Sequence, residues 1–285
     1  MLSGKNILVT GGSLGIGFAI AEACVRNGAG VMIVAREKQA LDAARESLAK
    51  IDGAATVAAV TGDVSDAESV QNIFESFTST FGCLDGVVNS AGIYGPIGTI
   101  ADVDPDEWLK AIHVNLFGSF LVARAACSRM RTSGGGRIVL LSGGGAATPF
   151  PNYTAYATSK IGVVRLVETI AIEMAPYNIE VNALAPGFVA TRLHEQTLAA
   201  GADAAGQAFL DTTKKQLAGG AVPPSIAANA SVLLLSDAAK GITGKFVAAP
   251  YDGWKDWPAH VSQLQETDIF TLRRILPKER GMDWQ

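Results

Sequence analysis

Short runs of aliphatic and β-branched residues recur along the chain, each followed by a longer stretch of helical character. Residues 5–10 (KNILVT), 31–35 (VMIVA), 56–61, 84–89 (LDGVVN) and 137–142 (RIVLLS) are almost continuously apolar. Such runs predict strands covered on both faces. Residues 179–184 and 244–248 predict two more strands. Helices are expected at 15–27, 37–50, 66–81, 106–130, 154–174 and 225–235. Asp66 and Asp106 stand near two of the expected helix starts. A carboxylate there accepts bonds from backbone N–H groups left unpaired in the first turn. The alternation of strand and helix predicts an α/β fold with one doubly wound parallel sheet of about seven strands and helices on both faces. Two stretches break the rhythm. Residues 187–224 are rich in Ala, Gly and Thr and suggest a mobile flap within a domain spanning 1–250. Residues 251–285 run on past the last strand and carry Trp254, Trp257 and Trp284. Tryptophans are poorly tolerated in exposed clusters, so this extension is expected to pack on the body or on a neighbouring subunit.

Composition narrows the function. With 48% hydrophobic and 18% charged residues, the 285-residue chain is not disordered. A net charge of −4 argues against a nucleic-acid partner. The run Arg273, Arg274, Lys278 and Arg280 is a local exception, read as a solvated or subunit-contacting face. Cys24, Cys83 and Cys127 are scattered and odd in number, which suits a reducing compartment. His113, His194 and His260 show no ligand spacing, so no metal is expected. The N-terminus lacks a signal-peptide layout and no apolar stretch approaches the length of a membrane span. A cytoplasmic protein with no membrane partner is expected. The 31 glycines exceed the usual share, yet no G-X-Y repeat accompanies them.

Some of those glycines carry chemistry. Thr10-Gly11-Gly12-Ser13-Leu14-Gly15-Ile16-Gly17 follows the first strand and opens a helix. Glycines let such a turn approach a phosphate closely, and the helix start offers unpaired N–H donors and the positive end of its dipole. The spacing, TGxxxGIG, resembles the fingerprint of the short-chain dehydrogenase/reductase family. Asn89-Ser90-Ala91-Gly92 is similar to that family's NNAG motif, Tyr156-Ala-Thr-Ser-Lys160 to its YxxxK motif, and Pro186-Gly187 to its PG motif, with Val189 and Thr191 downstream. Asn115 matches its active-site Asn. The matches fall in the family's order over roughly residues 4–250. They imply a Rossmann-like fold that binds NAD(P) through Gly11, Ser13, Leu14, Gly15, Ile16, Gly17, Asn89, Ala91, Gly92, Tyr156, Lys160, Pro186, Gly187, Val189 and Thr191, with Asp63 and Val64 flanking the adenine. Relatives commonly assemble through their long helices, so a homotetramer or homodimer is expected.

Four residues separate Tyr156 from Lys160, which puts both side chains on one helix face. A tyrosine is a poor base at neutral pH, and a neighbouring ammonium stabilises its phenolate. Tyr156 is therefore the expected acid/base for an alcohol or ketone substrate. The resemblance adds that Lys160 holds the nicotinamide ribose and that Asn115 carries a water to Lys160.

One departure concerns the serine pair that ends the family's fifth strand. This chain has Ser142-Gly143-Gly144-Gly145, and the family's catalytic position falls on Gly143. A one-residue offset along a strand turns a side chain to the other face. Three readings stand. Ser142 still reaches the substrate; or Asn152, Tyr153 or a backbone N–H of the glycine run replaces it; or catalysis is lost and a dinucleotide sensor or scaffold remains. An epimerase or dehydratase that retains its nicotinamide is a further alternative. Gly143, Gly144, Asn152, Phe188, His194 and Trp254 are the expected substrate contacts. At the end of the second strand stands Ala35-Arg36, with no carboxylate to bind a free ribose 2′-hydroxyl. The guanidinium favours NADP(H) over NAD(H).

Overall fold

A computed structural model describes residues 1–284. Among them seven strands form one wholly parallel sheet: β1 (Asn6–Thr10), β2 (Gly30–Ala35), β3 (Val57–Thr61), β4 (Gly86–Asn89), β5 (Gly136–Leu141), β6 (Ile179–Ala185) and β7 (Phe246–Ala248). Their order is β3-β2-β1-β4-β5-β6-β7. The expected doubly wound α/β architecture is what forms. The direction of winding reverses between β1 and β4, where Val9 registers with Val88 and Thr10 with Asn89. A crevice opens outside the carboxyl ends of strands at such a reversal.

Alternate side chains of each strand feed two cores. Ile7, Val9, Ile33 and Val139 face α1 (Gly15–Arg26), α2 (Lys38–Ala49) and a later helix at Pro224–Leu235. Leu8, Met32, Val34 and Leu140 face α3 (Ala67–Phe81) and two long helices described next. Burial on both faces explains why the strands read as continuous apolar runs.

The expected helix at 106–130 divides into α4 (Pro105–Ile112), one π-turn (His113–Phe117) and α5 (Gly118–Ser133). It begins earlier than expected, because Asp104 is the cap and accepts bonds from Asp106 and Glu107 N–H while Pro105 takes the first helical position. Contrary to the expectation that no apolar stretch approaches the length of a span, Pro105–Ser133 taken as one run is long and apolar enough to cross a membrane by length and composition. Half of that apolar window is buried inside the protein, so its apolarity is that of a core helix. The Asp66 cap is where expected, accepting from Ser69 N–H.

After α6 (Thr154–Met174), the expected flap contains two helices, α7 (Arg192–Ala205) and α8 (Gln207–Lys215), and α9 (Pro224–Leu235) follows it. Beyond β7 the extension folds through Trp254 and Trp257, which are buried, and α10 (Val261–Glu266). Lys245, itself buried, donates to the carbonyls of Thr267 and Ile269, and Phe246 N–H donates to Phe270 O at 2.8 Å. The tail thereby pairs with the outer edge of β7. Trp284 is 66% exposed on the single chain.

Candidate active site

The crevice at the β1/β4 reversal is a cleft of about 650 Å³. Gly11, Ser13 and Leu14 line its floor, Arg36, Asp63 and Val64 one end, and Ala91, Gly92 and Ile93 the other. The glycine loop has no room for side chains. A Cβ on Gly11 would lie 2.9 Å from the Ala91 nitrogen, and one on Gly17 would run into the Gly11 carbonyl oxygen. Leu14 caps α1 without a side-chain bond, and the first turn holds no acidic residue. The N–H groups and dipole of α1 are thus left free for an anion. A narrow glycine cradle at an uncapped helix start fits the diphosphate of a dinucleotide.

Other motif residues shape this cleft from behind. The amide of Asn89 joins Thr10 Oγ1 to Ser119 Oγ, fixing β1, β4 and α5 together. Asn89 is 1% exposed and contributes position, not cleft surface. Gly187 abuts Pro250, Val189 is buried, and the Thr191 methyl lies 3.5 Å from where a Gly15 Cβ would stand. Ile16 is the second residue of α1, and Pro186 follows β6. Ala40, Ala43, Ile93, Val114 and Arg192 also line the cleft and were missed by motif reading. The paired alanines near the start of α2, three residues apart, were the available signal.

Behind the Gly92 wall of the cleft stand Tyr156 and Lys160 of α6, with the Lys160 amine against the end of β5. Lys160 Nζ donates to Leu141 O at 2.9 Å, and Ser142 Oγ returns a bond to Lys160 O at 3.0 Å. These two bonds bind the strand end to the helix. A Cβ on Gly92 would lie 3.4 Å from Lys160 Nζ and 3.1 Å from Asn115 Oδ1, so the glycine brings the motif groups together. Asn115 sits in the π-turn. Its Oδ1 accepts from Ile93 N–H at 2.8 Å, and its Nδ2 donates to Ile93 O and Ser159 Oγ.

Burial sets the charges. The Lys160 amine is brought down to about 8 by desolvation. Desolvation pushes the Tyr156 phenol well above its ordinary value. Sequence reasoning has the ammonium lowering the phenol; here the loss of water around Tyr156 is the larger effect. Tyr156 is consequently a protonated phenol, 8% exposed, with Lys160 Nζ 5.5 Å from its ring centre.

Ser142 Oγ donates to the Lys160 carbonyl. At the next position, a Cβ on Gly143 would strike Tyr156 Oη. A Cβ on Gly144 would meet Phe150 at 3.8 Å. The remaining walls are aromatic. Tyr94 stands edge-on to Tyr156 at 4.9 Å, Phe150 stacks on Tyr153 at 4.4 Å, and Phe209 covers both. From α7, His194 Nδ1 meets Tyr94 Oη at 3.1 Å and Thr197 Oγ1 meets Tyr153 Oη at 2.9 Å. Phe188 stacks on His194 at 3.7 Å, and burial lowers the His194 imidazole to about 4, leaving it neutral. Asn152 takes a left-handed conformation (φ 67°) in the turn before α6 and accepts from Gly98 N–H. Tyr153, weighed as a replacement donor, turns its hydroxyl to α7. Trp254 is a misplaced expectation. Its indole donates to Ala249 O and packs in the core beside α9, because the extension bends back under the sheet.

A family profile described as Enoyl-(Acyl carrier protein) reductase matches residues 11–249. The chain is 35% identical over 191 residues to human dehydrogenase/reductase SDR family member 4, covering 67% of this chain and 68% of that one. It is 36% identical over 245 residues to D-threitol dehydrogenase of Mycolicibacterium smegmatis, covering 85% and 90%. Among solved structures, NAD+-bound xylitol dehydrogenase superimposes with a TM-score of 0.80 at 28% identity, covering 87% and 98%.

Proposed function

The chain belongs to the short-chain dehydrogenase/reductase family, and from that premise we propose how this member works. It is an NAD(P)-dependent oxidoreductase that interconverts an alcohol and a carbonyl compound. The observation that carries the reading is that Tyr156 and Lys160 lie one turn apart on α6, with Lys160 Nζ 5.5 Å from the Tyr156 ring centre and next to Gly92 of a cleft whose glycine cradle offers free helix N–H donors. When bound, the nicotinamide accepts or donates the hydride. The protein supplies the proton and the geometry.

In the reducing direction the Tyr156 hydroxyl donates its proton to the substrate oxygen as negative charge develops there. Its burial keeps that proton in place until the substrate arrives. In the oxidising direction Tyr156 first releases its proton to solvent, the Lys160 ammonium stabilises the resulting phenolate, and the phenolate then accepts the proton of the substrate hydroxyl. Leu141 O fixes where that charge sits. Asn115 holds the Gly92–Ile93 turn against α6 through its bonds to Ile93 and Ser159. Ser142 acts as a brace for Lys160. Phe188, His194, Gly144 and Asn152 border the substrate, with Tyr94 and Phe150 beside them.

We assign NADP(H) as the preferred dinucleotide. Arg36 lines the adenosine end of the cleft, and Asp63 lies 3.8 Å from its guanidinium. A carboxylate at that distance orients the guanidinium without masking it, since both side chains are substantially exposed. The substrate is a small alcohol or its carbonyl partner, a reading supported by the threitol and xylitol dehydrogenases among the chain's relatives. A homodimer or homotetramer would cover Phe117 and Phe120 of the helical run and Ile172 of α6, all exposed in the single chain. Within the 251–285 extension, the segment up to Phe270 serves as part of the body along β7.

The test is a turnover assay of purified protein with NADPH and NADH against polyols, sugars, alicyclic ketones and aryl ketones. Oxidation or reduction of either dinucleotide in a substrate-dependent manner supports the reading. Tight dinucleotide binding with no turnover across all four classes contradicts it.

A further inference from the structure

Resting on that reading, we propose that Arg192, a residue outside every motif, is the cation that holds the dinucleotide's diphosphate and so ties α7 to the bound cofactor. The cleft lining contains two cations, Arg36 and Arg192, and two carboxylates, Glu37 and Asp63. Arg36 stands at the end of β2 and is paired with Asp63. Arg192 makes no ion pair among the described residues. Its neighbour Thr191 rests against Gly15, at the start of α1 where the free N–H groups converge. The two guanidiniums therefore serve different ends of the cleft: Arg36 the adenosine ribose, Arg192 the phosphates at the helix start. Backbone N–H groups orient a diphosphate but leave most of its charge uncompensated, and a planar guanidinium bonds two of its oxygens at once.

The consequence reaches the substrate side. Arg192 opens α7, and two residues on comes His194, then Thr197, the residues that grip Tyr94 and Tyr153. A bond from Arg192 to the diphosphate would fix the start of the helix that walls the substrate site. Loading of the dinucleotide and seating of that wall become one event.

The experiment measures direct binding of NADPH and NADH to Arg192→Gln, Arg192→Lys and Arg36→Ala by fluorescence or calorimetry, each at several salt concentrations. Loss of a charge-assisted bond weakens binding roughly tenfold to a hundredfold. Arg192→Gln should weaken both dinucleotides by the same factor in that range, with a shallower salt dependence than wild type. Arg192→Lys should recover most of the loss, and Arg36→Ala should weaken NADPH alone. Three results overturn the proposal: wild-type binding by Arg192→Gln, a loss confined to NADPH, or equal losses in the Gln and Lys variants. If wild type itself binds neither dinucleotide, the family function fails first, and that outcome is separate.

Discussion

Gly143→Ala isolates the least expected feature of the site. An ideal Cβ at this position falls on Tyr156 Oη, with Cζ at 3.2 Å and Cε1 at 3.5 Å. The Gly143 φ lies outside the left-handed region, so alanine adds no backbone strain and the perturbation is steric. The Tyr156 ring has little freedom to retreat, with Tyr94 edge-on at 4.9 Å, Phe150 at 6.3 Å and Lys160 Nζ 5.5 Å from its centre. Ordinary carbon–oxygen contact requires the hydroxyl to move by on the order of 1 Å, a displacement that lowers turnover about 10²-fold in a positioned site. Overpacking of this kind costs about 1–3 kcal/mol of stability. The assay is kcat for carbonyl reduction beside NADPH affinity and a urea midpoint. Turnover should fall about a hundredfold, while NADPH affinity holds, because the cradle is untouched. Gly143→Ser carries the same Cβ and should be impaired likewise, despite gaining a hydroxyl. Wild-type turnover in Gly143→Ala would refute the claim that Gly143 makes room for the Tyr156 hydroxyl.

Further outcomes follow from charge. Arg36→Ala should weaken NADPH roughly tenfold to a hundredfold and leave NADH nearly unchanged; equal losses in titrations of the two would contradict the NADP assignment. Lys160 is lowered to about 8, so its ammonium is present at neutral pH and is lost as pH rises through that value. Because Tyr156 is shifted upward, it retains its proton over the same interval. A pH profile of kcat/KM for carbonyl reduction should therefore descend above about 8. A profile flat to pH 10 would show that the Lys160 charge is not needed in that direction.

The fold was legible because its strands are buried on both faces and its loops carry glycine signals, and both properties are written locally. Tyr156, Lys160 and the glycine loop were legible for the same reason, since spacing along one helix or one turn determines their geometry. What escaped is non-local. Tyr94 and Phe150 meet Tyr156, and Phe209 meets Phe150, only through tertiary packing, and nothing in their flanking residues announces it. Arg192 lines the cleft from a segment that reads as a flexible flap in sequence and is helical in the folded chain. Trp254 was misassigned because a tryptophan past the last strand can turn either toward the cleft or under the sheet, and the bond to Ala249 O selects the second. The π-turn at Asn115 arises inside an uninterrupted helical pattern, where hydrophobic periodicity carries no mark of it.

The role of Tyr156 is the central claim, and Tyr156→Phe tests it most directly. The substitution keeps the ring between Tyr94 and Phe150 and removes only the hydroxyl. Turnover should fall by about 10²- to 10⁴-fold, the usual worth of a positioned proton donor, with NADPH affinity and thermal stability near wild type. Turnover within about threefold of wild type, far short of that loss, would contradict the account.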